Sequence, residues 1–263
     1  MTMYYSDKEA RELVIKACHE LVEKKLIART WGNISARISE SEFIITPSGR
    51  SYENLKPEEL VKVKIDDLSY SGEIKPSSEK GVHAAAYGLR KEISFIIHTH
   101  QHYATAVSVE GKNTAFAACV AYALSGTKAL IKNTEEAIKA YPESRSFLLE
   151  RHGALILGES YDEAFLLADE LENNSRALFE SKKHELSEKE ARAPWLDDYA
   201  QMFGTGNASP QEDPEAIRLI LDKNRAAGEY ASEAKPLPLW DVLLQHTVYT
   251  LKYSKLKNKS DKE

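Results

Sequence analysis

The chain has 263 residues, 42% of them hydrophobic and 29% charged, which is enough to bury one or two cores and excludes wholesale disorder. Its 35 basic residues stand against 41 acidic ones, and the net charge of −6 excludes a nucleic-acid binder that works by broad charge neutralisation. A local anion site stays open, because a few backbone N–H groups and hydroxyls can hold a phosphate without altering that total.

The first residues, Met1 to Lys8, contain no apolar stretch of the kind a signal peptide needs. Ala115 to Leu124, the longest mostly apolar run, is too short for a bilayer span of ~20 residues, so no membrane partner is expected and the cytoplasm is the expected location. Ser6-Asp7-Lys8-Glu9 reads as a capping box, and Leu13, Val14, Ala17, Leu21 and Val22 follow at helical spacing, predicting a first helix that ends near Ile27. The period then changes to two. Ile34, Ala36 and Ile38 predict one strand, Phe43-Ile44-Ile45 its hairpin partner, and Val61, Val63 and Ile65 a third strand entered from a turn at Pro57. Lys75 to Glu79 reads as a loop leading into a helix through Val82, Ala86 and Leu89.

Ser94 to His100 predicts a buried strand, and further strands are expected at Ser146–Leu149 and Ala154–Leu157. A second capping box, Ser160 to Glu163, opens a long helix through Leu178. Strands and helices alternate in no strict βαβ order and no GxGxxG occurs, so a mixed α/β sheet layered with helices is expected rather than a dinucleotide-binding fold. Beyond residue 183 the chain turns polar and loop-rich, with two further helices expected after Pro214 and across Trp240 to Leu256. Cys18 and Cys119 both sit in apolar surroundings and are expected as buried thiols.

Chemistry concentrates in a few short motifs. His98 and His100 stand two apart on a strand, so both imidazoles point to one side of the sheet. That arrangement suits a zinc ion given a third ligand, and it equally suits one core and one surface histidine. His152, just before Gly153 and between two apolar runs, is a candidate third ligand, or a turn histidine capping a carbonyl. Glu79, at the start of a helix, is a candidate fourth ligand; a first-turn carboxylate there is also favoured by the helix dipole by ~0.3–1 kcal/mol. Three loops, Thr30-Trp31-Gly32-Asn33, Thr46-Pro47-Ser48-Gly49 and Ser77-Ser78, offer the hydroxyls, amide and N–H groups that a phosphate needs, although each alone is also ordinary turn chemistry.

Gly32-Asn33-Ile34-Ser35, Ile45-Thr46-Pro47-Ser48-Gly49, Pro76-Ser77-Ser78-Glu79, His98-Thr99-His100 and His152-Gly153 occur in the order seen in the class II aldolase/adducin-head family. Across about residues 8–182 the sequence resembles that family, and most of all its L-fuculose-phosphate aldolase branch. The resemblance implies an α/β fold, a three-layer α/β/α sandwich with a mixed, largely antiparallel central sheet, and a cytoplasmic homotetramer with active sites at subunit interfaces. It implies one Zn2+ per chain held by His98, His100 and His152, with Co2+ or Mn2+ as alternatives. Glu79 would be the catalytic acid/base and a metal ligand while substrate is absent. Gly32, Asn33, Ser48, Gly49, Ser77 and Ser78 would bind phosphate.

The activity so implied is cleavage of a phosphorylated ketose to dihydroxyacetone phosphate and an aldehyde. A sugar-phosphate dehydratase or epimerase on the same metal site is the alternative, followed by a non-catalytic adducin-like module. Glutamate at position 79 resembles the aldolases, whereas the epimerases of this family typically carry aspartate there. Two departures are visible. Between Val109 and Ser146 the chain is shorter than the typical aldolase, and where the family brings an acid tyrosine this one has Ala117-Ala118-Cys119-Val120, with Tyr122 nearby expected to pack in an apolar helix. Residues 1–184 are expected to form the catalytic domain and 185–263 a partly helical extension packed on it or on a neighbouring subunit.

Overall fold

The computed structural model describes residues 4–24, 26–27 and 32–181, without the side chains of residues 180 and 181. The expectations for residues 185–263, and for Thr30 and Trp31, lie outside the described residues. Helix α1 spans Asp7–Glu23, and its capping box forms as expected: Glu9 N–H donates to Ser6 Oγ (3.2 Å) while Ser6 N–H donates to the Glu9 carboxylate. The helix stops four residues before Ile27. Leu26 N–H and Ile27 N–H both fold back onto Leu21 O, which keeps the two side chains in the core without helical backbone. The apolar pattern continued there because of burial and not because of helix.

Strand β1 (Asn33–Arg37) and strand β2 (Glu42–Ile45) form the expected hairpin, and β3 (Val61–Lys64) follows a one-turn 3-10 helix at Pro57–Glu59. Helix α2 (Lys80–Leu89), β4 (Phe95–Thr99), α3 (His102–Ser108), β5 (Ala118–Val120), α4 (Lys128–Ala140), β6 (Ser146–Leu149), β7 (Gly153–Gly158) and α5 (Tyr161–Ser181) complete the order. Only the hydroxyl half of the second capping box forms, with Glu163 N–H on Ser160 Oγ (3.2 Å); the Glu163 carboxylate accepts from Glu159 N–H instead.

The seven-stranded sheet runs β3-β2-β1-β4-β7-β6-β5, and every neighbouring pair is antiparallel except β5–β6. Its strands alternate between two apolar faces. Ile34, Ile97 and Ile156 pack with Val14, Val107 and Phe165 beneath α1, α3 and α5, while Ile45, Ile96 and Leu155 pack with Val82, Leu130 and Ile138 beneath α2 and α4. Two covered faces explain why β1 and β4 are buried along their whole length. The chain is thus a three-layer α/β/α sandwich on a largely antiparallel sheet, as expected. Among the described residues no helix is long and apolar enough to cross a membrane.

Two expectations fail at the sheet edge. The 115–124 stretch forms β5 and an extended segment rather than a helix around Tyr122, because pairing with β6 uses its backbone. Cys119 is half-buried and not buried, since an edge strand leaves one side open.

Near the centre, glycine sets how closely backbones approach. A Cβ on Gly32 would sit 2.6 Å from His98 O, and one on Gly153 would sit 2.4 Å from Thr99 O and 3.0 Å from His100 Cδ2. Gly153→Ala should therefore part β4 from β7 and cost about 1–3 kcal/mol in urea denaturation; a variant as stable as the parent would show that this approach is not tight.

Candidate metal centre and acid-base site

The end of β4 delivers two imidazoles and the turn after β6 a third. His98, His100 and His152 are all buried, and their ligand nitrogens lie within 4.8 Å of one another. The register of β4 with β7 places His98 so that its Nδ1–H donates to Ala154 O (2.8 Å), which leaves Nε2 as the nitrogen facing the cluster. His98 Nε2 and His100 Nε2 are 3.1 Å apart. Two nitrogens at tetrahedral zinc would be separated by about 3.3 Å, so these rings need little movement to share one ion. His152 is aimed by a tight reversal in which Arg151 adopts φ 56°, Arg151 N–H donates to Ser108 O and His152 N–H to Leu149 O.

Glu79 closes the group from the opposite side. It is the N-cap residue of α2, and its own N–H donates to Ser77 Oγ (3.2 Å). Its Oε2 lies 3.1 Å from His98 Nε2 and its Oε1 3.3 Å from His152 Nε2. Asn33 Nδ2–H donates to Oε2 (2.9 Å) and the Ser125 hydroxyl donates to Oε1 (3.0 Å). Burial alone would raise this carboxyl's pKa, but the imidazoles of His98, His152 and His100 outweigh it and hold the group well below the usual carboxylate range. For His98 the balance runs the other way: burial disfavours its charge, and the Glu79 carboxylate more than restores it, so its pKa is raised. Burial lowers His152 to about 4 against the pull of Glu79, and lowers His83, helped by repulsion from His98, to about 3. Three buried imidazoles with one ionised carboxylate are a donor set that fits a divalent transition metal.

The loops expected to take phosphate come together beside this cluster. Ser48 N–H donates to Lys75 O (2.9 Å) and Ser77 N–H to Thr46 O (3.0 Å), with Pro47 and Pro76 in an antiparallel bridge between them. Thr46 Oγ1 accepts from Ile34 N–H (3.2 Å), which ties the pair of loops to β1. Ser48 and Gly49 are exposed, Ser78 is half-buried, and Ser77 is buried with its hydroxyl already engaged by Glu79 N–H. Gly32 and Asn33 stand across from His98 at the start of β1, and both ends of the Asn33 amide are already used, on Glu79 and on His83.

The sequence reading missed Ser125. Its signal was the Ser125-Gly126-Thr127 turn, where Gly126 takes φ +75° and Thr127 caps α4 by accepting from Leu130 N–H. His83 is buried on α2, and its bond to Asn33 links it to Glu79. His102 begins α3, half-buried, with its ring against Tyr103. Tyr122 donates its backbone N–H to Glu150 (3.0 Å).

Residues 12–179 match the family described as Class II Aldolase and Adducin N-terminal domain. The 5-deoxy-D-ribulose 1-phosphate aldolase of Bacillus thuringiensis is 30% identical over 187 residues, covering 66% of this chain and 86% of that protein. The L-fuculose phosphate aldolase of Haemophilus influenzae is 28% identical over 236 residues, 84% of this chain and 95% of that one. Among solved structures, an L-fuculose 1-phosphate aldolase superposes with a TM-score of 0.61 at 29% identity, over 70% of this chain and 91% of its own.

The titration of the cluster fixes a pH dependence for the metal-free protein. His152 and His83 have folded pKa values of about 4 and about 3, below the ordinary 6.5, so the stability they contribute is present above pH 6.5 and is lost as pH falls toward 4. The raised pKa of His98 works oppositely, adding stability below 6.5, but it is one group against two. Chelator-treated protein should therefore show a urea midpoint that falls between pH 6.5 and 4; a midpoint that rises over that window would contradict the assignment.

Proposed function

The chain belongs to the class II aldolase and adducin N-terminal domain family, and from that premise we propose that it is a divalent-metal aldolase cleaving a phosphorylated ketose to dihydroxyacetone phosphate and an aldehyde. The observation that carries this reading is a buried, ionised Glu79 within reach of three convergent imidazoles and beside two hydroxyl-bearing loops. His98, His100 and His152 would hold the ion, with Glu79 alongside until substrate displaces it. The proposed ion is Zn2+, and the same donors accept Co2+ and Mn2+. When bound, the metal supplies Lewis-acid polarisation of the ketose carbonyl.

The remaining work falls to the chain. As the carbon–carbon bond breaks, the hydroxyl on the departing carbon gives up its proton to solvent and becomes the aldehyde carbonyl, while the electron pair stays on the carbon destined to become the hydroxymethyl carbon of dihydroxyacetone phosphate. Glu79, having taken up a proton from solvent, delivers it there, and in the synthetic direction it removes that proton. Ser48, Gly49, Ser77, Ser78, Gly32 and Asn33 would line the phosphate pocket. With the Ser48 and Ser77 N–H groups and both ends of the Asn33 amide engaged within the protein, the hydroxyls of Ser48, Ser77 and Ser78 would donate to the phosphate, so that remote binding energy holds the reacting carbons in place. Residues 1–184 would form the catalytic domain, acting within a homotetramer whose sites lie at subunit interfaces.

Metal-loaded protein incubated with a panel of ketose 1-phosphates should release dihydroxyacetone phosphate from at least one. Release of none, with a dehydrated or epimerised sugar phosphate formed instead, would replace this reading with the dehydratase or epimerase alternative. His98→Ala should lose stoichiometric metal after dialysis, and retention of one ion per chain would refute the ligand set. Glu79→Gln keeps the size and most of the hydrogen bonding but cannot take up a proton near neutral pH. It should slow exchange of the dihydroxyacetone phosphate α-proton with deuterated water by ~10²–10⁴ while metal content stays, and exchange at the parent rate would mean the base lies elsewhere.

A further inference from the structure

Behind Glu79 the buried polar groups form one unbroken chain. Glu79, His83 and Tyr87 recur every fourth residue from the N-cap of α2, so they share a helix face. Asn33, Ser35 and Arg37 alternate along β1 and share a strand face, the one opposite Ile34 and Ala36. The two rows interlock. Asn33 reaches Glu79 through Nδ2 (2.9 Å) and His83 Nε2 through Oδ1, so one amide spans two side chains a helical turn apart. Ser35 Oγ lies 2.7 Å from His83 Nδ1 and 2.8 Å from the Tyr87 hydroxyl. Arg37 Nη1 donates to Tyr87 O (3.0 Å) and ends the row. All of these side chains are buried.

Donor and acceptor chemistry allows this chain to run in a single direction. An ionised carboxylate only accepts, so Asn33 presents its NH2 group to Glu79 and its carbonyl to His83. His83 must then carry its proton on Nε2. Neither ring nitrogen meets a carboxylate, and burial favours the neutral ring, so Nδ1 is an acceptor and the Ser35 hydroxyl donates to it. The Ser35 oxygen in turn accepts from the Tyr87 hydroxyl.

An unsupported asparagine amide can turn over with almost no change of shape. Turned over here, it would set its carbonyl oxygen against the Glu79 carboxylate, two acceptors facing one another in a dry site. His83 opposes that flip from the other end, because the flipped amide would press its NH2 against an N–H. We propose that His83 is a positioning residue, which acts through Asn33 to keep an N–H donor on Glu79 and so fixes the place of the acid/base. The proposal rests on reading Glu79 as the group that moves the substrate proton, and its test separates the two.

Four measurements carry it. In protein labelled with 15N-histidine, His83 should be recorded as the Nε2–H tautomer with an unprotonated Nδ1, a result independent of any substrate; the Nδ1–H tautomer would overturn the proposal. His83→Phe keeps the ring and removes both nitrogens, and should lower turnover in α-proton exchange tenfold or more while KM for dihydroxyacetone phosphate and metal content stay within about twofold. His83→Gln, whose amide nitrogen reaches the place of Nε2, should recover most of that turnover. A folded Phe variant exchanging at the parent rate, or a folded Gln variant no better than Phe, would overturn it.

The last comparison repeats His83→Phe in the Glu79→Gln background. If His83 works through Glu79, no further loss should follow there, whereas an undiminished loss would place its effect elsewhere. Should Glu79→Gln alone exchange at the parent rate, the functional reading fails while the tautomer result still reports on the His83–Asn33 contact.

Discussion

A charged carboxylate buried in the centre of the molecule is the constraint around which the rest is arranged. Glu79 is 6% exposed and ionised, and removing an isolated carboxylate from water is too costly to be borne without partners. Its partners come from separate parts of the chain: His98 from β4, His152 from the turn before β7, Asn33 from β1, and Ser125 from the turn before α4. No local segment could satisfy it. The carboxylate is stable only when β1, β4 and β7 are in register and α2 and α4 are seated on the same face, so the site and the sandwich form together.

The close approaches at Gly32 and Gly153 follow from the same demand. Gly153 lets the chain leaving His152 press against Thr99 O and the His100 ring, and Gly32 lets the start of β1 press against His98 O, so that the turn, β1 and the end of β4 meet at one point. The turn between β6 and β7 shows what is given up. Arg151 sits at φ 56°, a left-handed conformation costing a non-glycine residue roughly 1–2 kcal/mol, and that reversal puts His152 into the cluster instead of back along the strand. Strain held next to a convergent histidine cluster is what is expected where geometry has been kept at the expense of stability.

Much of this was legible in the sequence, and the rest was hidden for physical reasons. The alternation of Ile34, Ala36 and Ile38, followed after a polar turn by Phe43-Ile44-Ile45, pointed to the hairpin, and the spacing of His98 and His100 to a shared face, because such signals follow from local backbone geometry. The end of α1 was misplaced because Leu26 and Ile27 are buried by a turn, and burial looks the same in sequence whichever backbone supplies it. The edge strand β5 was hidden in an alanine-rich run whose propensity favours helix, and pairing with β6 overrode it. Ser125 escaped notice because its role depends on a contact with a residue 46 positions away. Asn33 was legible as a polar residue at a strand start, but the two-ended use of its amide depends on how α2 lies across β1.

The arrangement also bears on how, in the proposed reaction, one carboxylate would both sit among metal ligands and move a proton. In the described cluster each oxygen of Glu79 has two kinds of neighbour, an imidazole and a neutral donor: His98 and Asn33 on Oε2, His152 and Ser125 on Oε1. The imidazole lone pairs are the groups a divalent ion would claim. The neutral donors belong to β1 and to the turn before α4, and nothing in ion binding would occupy them. A carboxylate that gave up its imidazole contacts would therefore keep one hydrogen bond on each oxygen, from Asn33 and from Ser125. In the proposed reaction these neutral donors are the contacts that would stay on the carboxylate as it takes a proton, which is why the orientation of a single asparagine amide bears on the chemistry.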